Sequence, residues 1–213
     1  MNKQIIMFDF DNTLVSSLKY WHRVLDKELF KKYGKKVDKR MATLRVGTTN
    51  REMAEIFIKL ADVDASYEEI SSGWNDLMEQ YYTTKIKPIK CAKEYLTHLK
   101  NQGKTLVLAT ATQDDLIQKA LDHFDLNVFD YILTEKNLDA PKYKTTFFER
   151  AVKKLNTNTS DIIFFEDSFG SIKSATSLGI ECNALIHKYN KKNKKELEKI
   201  CAKTLKNYKK LAK

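Results

Sequence analysis

Little in this chain points to a membrane, an oxidising compartment or a repeated architecture. Only three cysteines, Cys91, Cys182 and Cys201, occur among 213 residues. Neither their odd number nor their spacing makes a disulfide framework, a metal motif or a redox pair, so they are read as packing thiols in a reduced compartment. No apolar run approaches the ~20 residues that a helix needs to span a bilayer. The start, Met1-Asn2-Lys3-Gln4 followed at once by Ile5-Ile6-Met7-Phe8, lacks a long apolar segment with a small-residue cleavage site, and a cytoplasmic location is expected. There is no internal repeat and no low-complexity linker. Charge of one sign is also scarce outside the end of the chain. Residues 187–213 hold eleven lysines against two glutamates, a net of +9 out of the total of +10, so residues 1–186 are almost neutral. A basic balance that would attract nucleic acid is therefore confined to the tail.

What the chain does have is a change of pattern. Residues 3–10 read as a buried strand, with the continuous apolar run of a parallel sheet covered on both faces. Leu18, Trp21, Leu25 and Leu29 then recur at helical spacing up to Gly34. Further helices are expected over 38–45, 50–61 and 66–85, the last two opened by Thr49-x-x-Glu52 and Ser66-x-x-Glu69, both of the form of capping boxes. After Pro88 helices and strands alternate: strands over 105–109, 131–133, 161–165 and 183–186, with helices from Asp114, over 145–155 and from Ser168. Such alternation predicts an α/β fold, a doubly wound parallel sheet, with an all-helical block inserted after the first strand.

The residues that carry chemistry lie where strands end. Asp9 and Asp11 follow the first strand, two apart and able to share a face, where ligands bind in open α/β sheets. Two close acids repel unless a cation or a proton intervenes, which suits a nucleophile, an acid and a metal. Thr110 ends the second core strand, where a hydroxyl and an amide can hold a phosphoryl oxygen. Lys142 lies at a loop entering a helix, where an ammonium can bridge an aspartate and a phosphate. Glu166 and Asp167 close a further strand and offer oxygens for a hard divalent cation. Each also has an ordinary reading: turn acids, a capping threonine, one lysine among many, an acidic helix start. Their arrival in order, each at the tip of a successive core element, is what one site above a parallel sheet requires.

At these residues the chain resembles the haloacid dehalogenase (HAD) superfamily, in the branch with a helical cap between its first two motifs. The motifs stand here as DFDNT at 9–13, LAT at 108–110, Lys142 within APK, and FFEDS at 164–168. The resemblance implies a Rossmann-like core over 1–14 and 87–213, with a C1-type cap over 15–86. It implies Asp9 as nucleophile, Asp11 as general acid and then base, and Thr110 and Lys142 as phosphate and charge anchors. Mg2+ would be held by Asp9, the main-chain carbonyl of Asp11 and Asp167, with Glu166 as a second acidic contributor. Dehalogenating members lack the second aspartate, so Asp11 points to phosphorus chemistry and a phosphatase. β-Phosphoglucomutase-like members are the alternative, but they carry a threonine and a histidine where this chain has Ser17 and Trp21, with His22 one place off. The third motif departs from the frequent Lys-Pro-x-Pro, which leaves Lys144 as a competitor for Lys142.

Substrate choice in such a protein falls to cap residues, here Trp21, His22, Arg45 and Arg51, each of which also reads as helix core or a solvated face. The expected ligand is a small phosphorylated metabolite, met by a monomer with no membrane contact. A stripe of Leu197, Ile200, Cys201, Leu205, Tyr208 and Leu211 predicts one basic helix within 187–213 that packs on the core. Docking of that helix on nucleic acid, by a protein without catalysis, is the lesser reading.

Overall fold

The apolar run that opens the chain forms β1 (Ile5–Phe8), buried on both faces. The computed structural model describes residues 4–44 and 48–212. It divides into two units, Met1–Ser16 with Pro88–Lys213, and Ser17–Lys87.

In the described part of the second unit the regular elements are helical: α1 (Leu18–Arg23), a π-helical turn (Val24–Glu28), α2 (Leu29–Lys32), α3 (Met41–Leu44), α4 (Asn50–Ala61) and α5 (Tyr67–Thr84). Both capping boxes are present. Thr49 and Ser66 accept from the amides of Glu52 and Glu69, whose carboxylates accept in return from the cap amides, satisfying donors that a helix start leaves orphaned. The unit has its own core, in which Phe30 meets Phe57 at 4.8 Å and Trp74 and Tyr82 are buried.

The first unit resumes with α6 (Ala92–Asn101), β2 (Thr105–Thr110), α7 (Asp114–Phe124), β3 (Tyr131–Thr134), α8 (Glu135–Leu138), α9 (Thr145–Lys154), β4 (Ile162–Glu166), α10 (Phe169–Ser177), β5 (Glu181–Leu185), α11 (Lys194–Ile200) and β6 (Lys203–Leu205). All neighbouring strands are parallel, in the order β3-β2-β1-β4-β5-β6. This is the expected Rossmann-like α/β sheet. Ile5, Met7, Val107 and Phe164 point to one face and pack on Phe147 and Phe148 of α9 and Ile172 of α10. On the other face the rings of Phe8 and Phe165 stack at 4.8 Å, and Tyr95 of α6 and Tyr208 close over them. Chain order reverses between β1 and β4, and crevices for ligands open at such a switch point.

The tail departs from its expected helix, which stops at Ile200. Cys201 is extended (φ −99°, ψ 147°), the Ala202 amide donates to the Cys182 carbonyl at 2.9 Å, and the Ile186 amide donates to Leu205 at 2.7 Å. The open edge of β5 offers backbone partners that a continued helix would leave unmade, and pairing wins over the apolar stripe. Tyr208 then buries its ring against the sheet and donates its hydroxyl to the Thr13 carbonyl at 3.0 Å. The short, lysine-bearing β6 suits an edge strand, since charge there discourages further pairing.

Candidate active site

Register places the site before any side chain is considered. Phe8 pairs with Phe165 and with Leu108, so the next residues, Asp9, Glu166 and Ala109, stand abreast at the carboxyl tips of β1, β4 and β2. The Asp9 amide continues the ladder by donating to the Phe165 carbonyl at 2.9 Å. Beyond it Asn12 adopts the left-handed region (φ 63°), which asparagine tolerates better than most residues. The chain then folds back so that the amides of Leu14 and Val15 reach the Phe10 carbonyl at 2.8 and 3.2 Å.

Two acids abreast in parallel register would repel, and Lys142 lies between them. Its ammonium bonds to Asp9 Oδ1 and stands 2.9 Å from Glu166 Oε2 and 3.4 Å from the Ala109 carbonyl, with all three charged side chains buried. Burial would push the lysine down, but Asp9 and Glu166 together hold it well above its ordinary range. Asp9 is raised from 3.8 to about 7, first by burial and then by Glu166, against the pull of Lys142. Glu166 is also raised, by burial, with Asp167 adding to the shift and Lys142 opposing it. Its Oε1 accepts from the amides of Asp167 and Ser168 at 2.8 and 2.9 Å. Oε1 of Glu166 is thus held by the backbone, whereas the buried Oε2 faces Lys142 as an ion pair without a hydrogen bond. Asp11 accepts from the Thr112 hydroxyl at 2.6 Å, and Thr110, buried, accepts through Oγ1 from the Thr112 amide at 3.1 Å. One carboxylate oxygen from each of Asp9, Glu166 and Asp167 lies within 4.8 Å of the others. Three hard oxygen donors that close, with two acids forced above their ordinary values, fit a divalent cation such as Mg2+.

The sequence of residues 6–185 matches the family model of haloacid dehalogenase-like hydrolases. The chain belongs to that family. Among curated relatives, a phosphorylated carbohydrates phosphatase of Thermotoga maritima is 22% identical over 189 residues, 88% of this chain and 87% of that one. A bifunctional riboflavin kinase/FMN phosphatase of Arabidopsis thaliana is 25% identical over 182 residues, 84% of this chain but 48% of the relative, so the chain spans about half that protein's length. Among solved structures, CbbY from Rhodobacter sphaeroides in complex with phosphate shares the fold, with a TM-score of 0.80 at 18% identity, covering 98% of this chain and 96% of the other.

Within this haloacid dehalogenase-like hydrolase the geometry selects Lys142 over Lys144, whose ammonium stands 5.2 Å from the centre of the Tyr143 ring. Of the residues named for the helical unit, Trp21 and Arg51 have partners within that unit. The half-buried Trp21 donates its indole N–H to the Tyr82 hydroxyl at 3.2 Å, and the exposed Arg51 lies over the Tyr67 ring at 5.0 Å. His22 is half-buried, and Arg45 lies outside the described residues.

Three residues at the strand tips escaped the sequence reading. Thr112 grips Asp11. His187 Nε2 is 2.7 Å from Asp167 Oδ2, and Asn190 donates to the carbonyls of Asp167 and Leu185, both at 2.8 Å. The signal for the last two was topological. His187 and Asn190 follow β5, and the loop after a parallel strand adjoins the same edge that holds Asp9.

Proposed function

We propose that this hydrolase is a phosphatase acting on a small phosphorylated metabolite through an aspartyl-phosphate on Asp9, as a cytoplasmic monomer that uses Mg2+. The observation that carries the reading is the group of buried Asp9, Lys142 and Glu166 with half-buried Asp167 at the switch point between β1 and β4. A fully buried acid held against another acid is costly, and such conflicts concentrate where chemistry needs them.

Asp9 attacks phosphorus in line, and the P–O bond to the departing alcohol breaks. Asp11 gives that oxygen its proton, leaving an acylphosphate on Asp9 and a carboxylate on Asp11. Asp11 then takes a proton from water as the water attacks the same phosphorus, which releases inorganic phosphate and restores both aspartates. Lys142 and the Thr110 hydroxyl neutralise and orient the phosphoryl oxygens, and Thr112 keeps Asp11 turned toward the reaction. Glu166 anchors Lys142, so the ammonium holds its place as charge on Asp9 is transferred. Asp9, the Asp11 carbonyl and Asp167, with Glu166 as a second acidic contributor, would hold Mg2+, which would supply positive charge where the transition state spreads negative charge.

Magnesium-dependent phosphate release from p-nitrophenyl phosphate tests the reading. Asp9→Asn should abolish it, and activity surviving that change contradicts the nucleophile. The mutase reading requires conversion of a sugar 1-phosphate to the 6-phosphate, primed by a bisphosphate, and absence of that product supports hydrolysis. The nucleic-acid reading is weakened by the tail itself, because 203–205 form a strand of the sheet and Tyr208 is buried in its face.

A further inference from the structure

We propose that His187 is a positioning residue for the cation site, holding Asp167 in the orientation that metal ligation needs; the inference rests on the metal-dependent reading above. Asp167 stands just beyond β4, with backbone on one side and the loop after β5 on the other. That loop grips it twice. His187 Nε2 lies 2.7 Å from Asp167 Oδ2, and the Asn190 amide donates to the Asp167 carbonyl at 2.8 Å.

The clasp is itself braced. Asn190 Oδ1 accepts from the His187 amide at 2.9 Å, and the same side chain donates to the Leu185 carbonyl at 2.8 Å, closing the loop onto the end of its own strand. The imidazole is oriented from its far side, since the Tyr189 amide donates to Nδ1 at 3.2 Å. A nitrogen that accepts there carries no proton, so in the neutral ring the proton is on Nε2 and points at Asp167. The side-chain amide of Asn12 also stands 3.5 Å from Nε2, longer than a good hydrogen bond.

One oxygen of Asp167 is thereby committed to the imidazole, and ligation falls to the other. His187 is not a ligand in this arrangement. The close donor group consists of Asp9, Glu166 and Asp167, without the histidine. It acts one shell out, as hydrogen-bonded partners of ligating carboxylates do, and loss of such a partner typically weakens metal binding by about 10–100-fold.

The test is Mn2+ titration of the full-length protein without substrate, read by calorimetry or electron paramagnetic resonance, for wild type, H187A, H187Q and H187N. Glutamine can present an N–H near the position of Nε2, whereas asparagine reaches only that of Nδ1. H187A and H187N should lose about 10–100-fold in Mn2+ affinity, H187Q should recover most of it, and saturating metal should restore kcat. Equal affinities for the glutamine and asparagine variants, or a wild-type affinity kept or exceeded in H187N, overturn the positioning role; that comparison stands even if H187A does not fold. A wild-type protein that binds no Mn2+ overturns the metal-dependent reading itself, and this role with it.

Discussion

The two units of the chain hold their candidate functional residues in opposite ways. In the sheet unit, partners far apart in sequence converge: Lys142 bonds Asp9 across 133 positions, and Thr112 bonds Asp11 across 101. These groups are buried or nearly so and are satisfied chiefly by one another. In the helical unit, Arg51 is exposed over a neighbouring ring and Trp21 is tied to Tyr82. Charge is buried where a reaction needs it, and such burial can be recognised from structure without knowing the substrate. Specificity leaves no comparable mark.

The contrast can be broken most easily at Lys142. Lys142→Met removes the cation between two buried acids, so kcat should fall by at least about 10²–10³-fold while p-nitrophenyl phosphate turnover in Arg51→Ala stays near wild type. A comparable loss in Arg51→Ala would erase the distinction between the units. The acid conflict should also appear in stability. Asp9 rises from 3.8 to about 7, chiefly through burial. An acid raised in the folded state contributes its stability fully below the unfolded value and loses it as pH climbs through the folded one. Asp9→Asn removes that loss. Without metal, the variant should exceed wild type in stability above pH ~8, by at most about 4 kcal/mol, and the gap should close near pH ~4. Thermal melts across that range check it, and a wild type more stable than Asp9→Asn at high pH would count against the conflict.

Tyr208 extends the comparison to the tail. Truncating a buried aromatic to alanine should cost about 3–5 kcal/mol, whereas Tyr208→Phe removes only the bond to Thr13 and should cost about 1 kcal/mol. Denaturant unfolding of both variants separates ring burial from the hydroxyl. Near-equal losses would show that the bond to the Asp9 loop dominates. The smallest effect is assigned to the helical unit: Arg51→Ala should cost under about 1 kcal/mol, the worth of an exposed cation–π contact.

How much of this was legible in sequence follows from the range of the interactions involved. Capping boxes at Thr49 and Ser66 are local, and sequence fixes them because cap and partner are three residues apart. Apolar runs of β1, β2 and β4 announce buried parallel strands for a similar reason. The tail was misread because its apolar spacing suits a helix, while its true partner, the edge of β5, lies outside any local window. Glu166 is legible as an acid at a strand tip, and only the structure adds its ion pair with Lys142 and its bonds from the backbone to its place beside Asp9 and Asp167. Thr112, His187 and Asn190 carry no motif of their own. They matter through what the fold sets beside them.

The central claim is that Asp9 takes the phosphoryl group. The most direct measurement is acid quenching of the enzyme during turnover of a phosphorylated substrate, followed by peptide mass analysis. The account predicts one added phosphoryl group on the peptide bearing Asp9, lost on treatment with base and absent from Asp9→Asn. Sustained turnover with an unmodified Asp9 peptide, or the phosphoryl group on another residue, would contradict it.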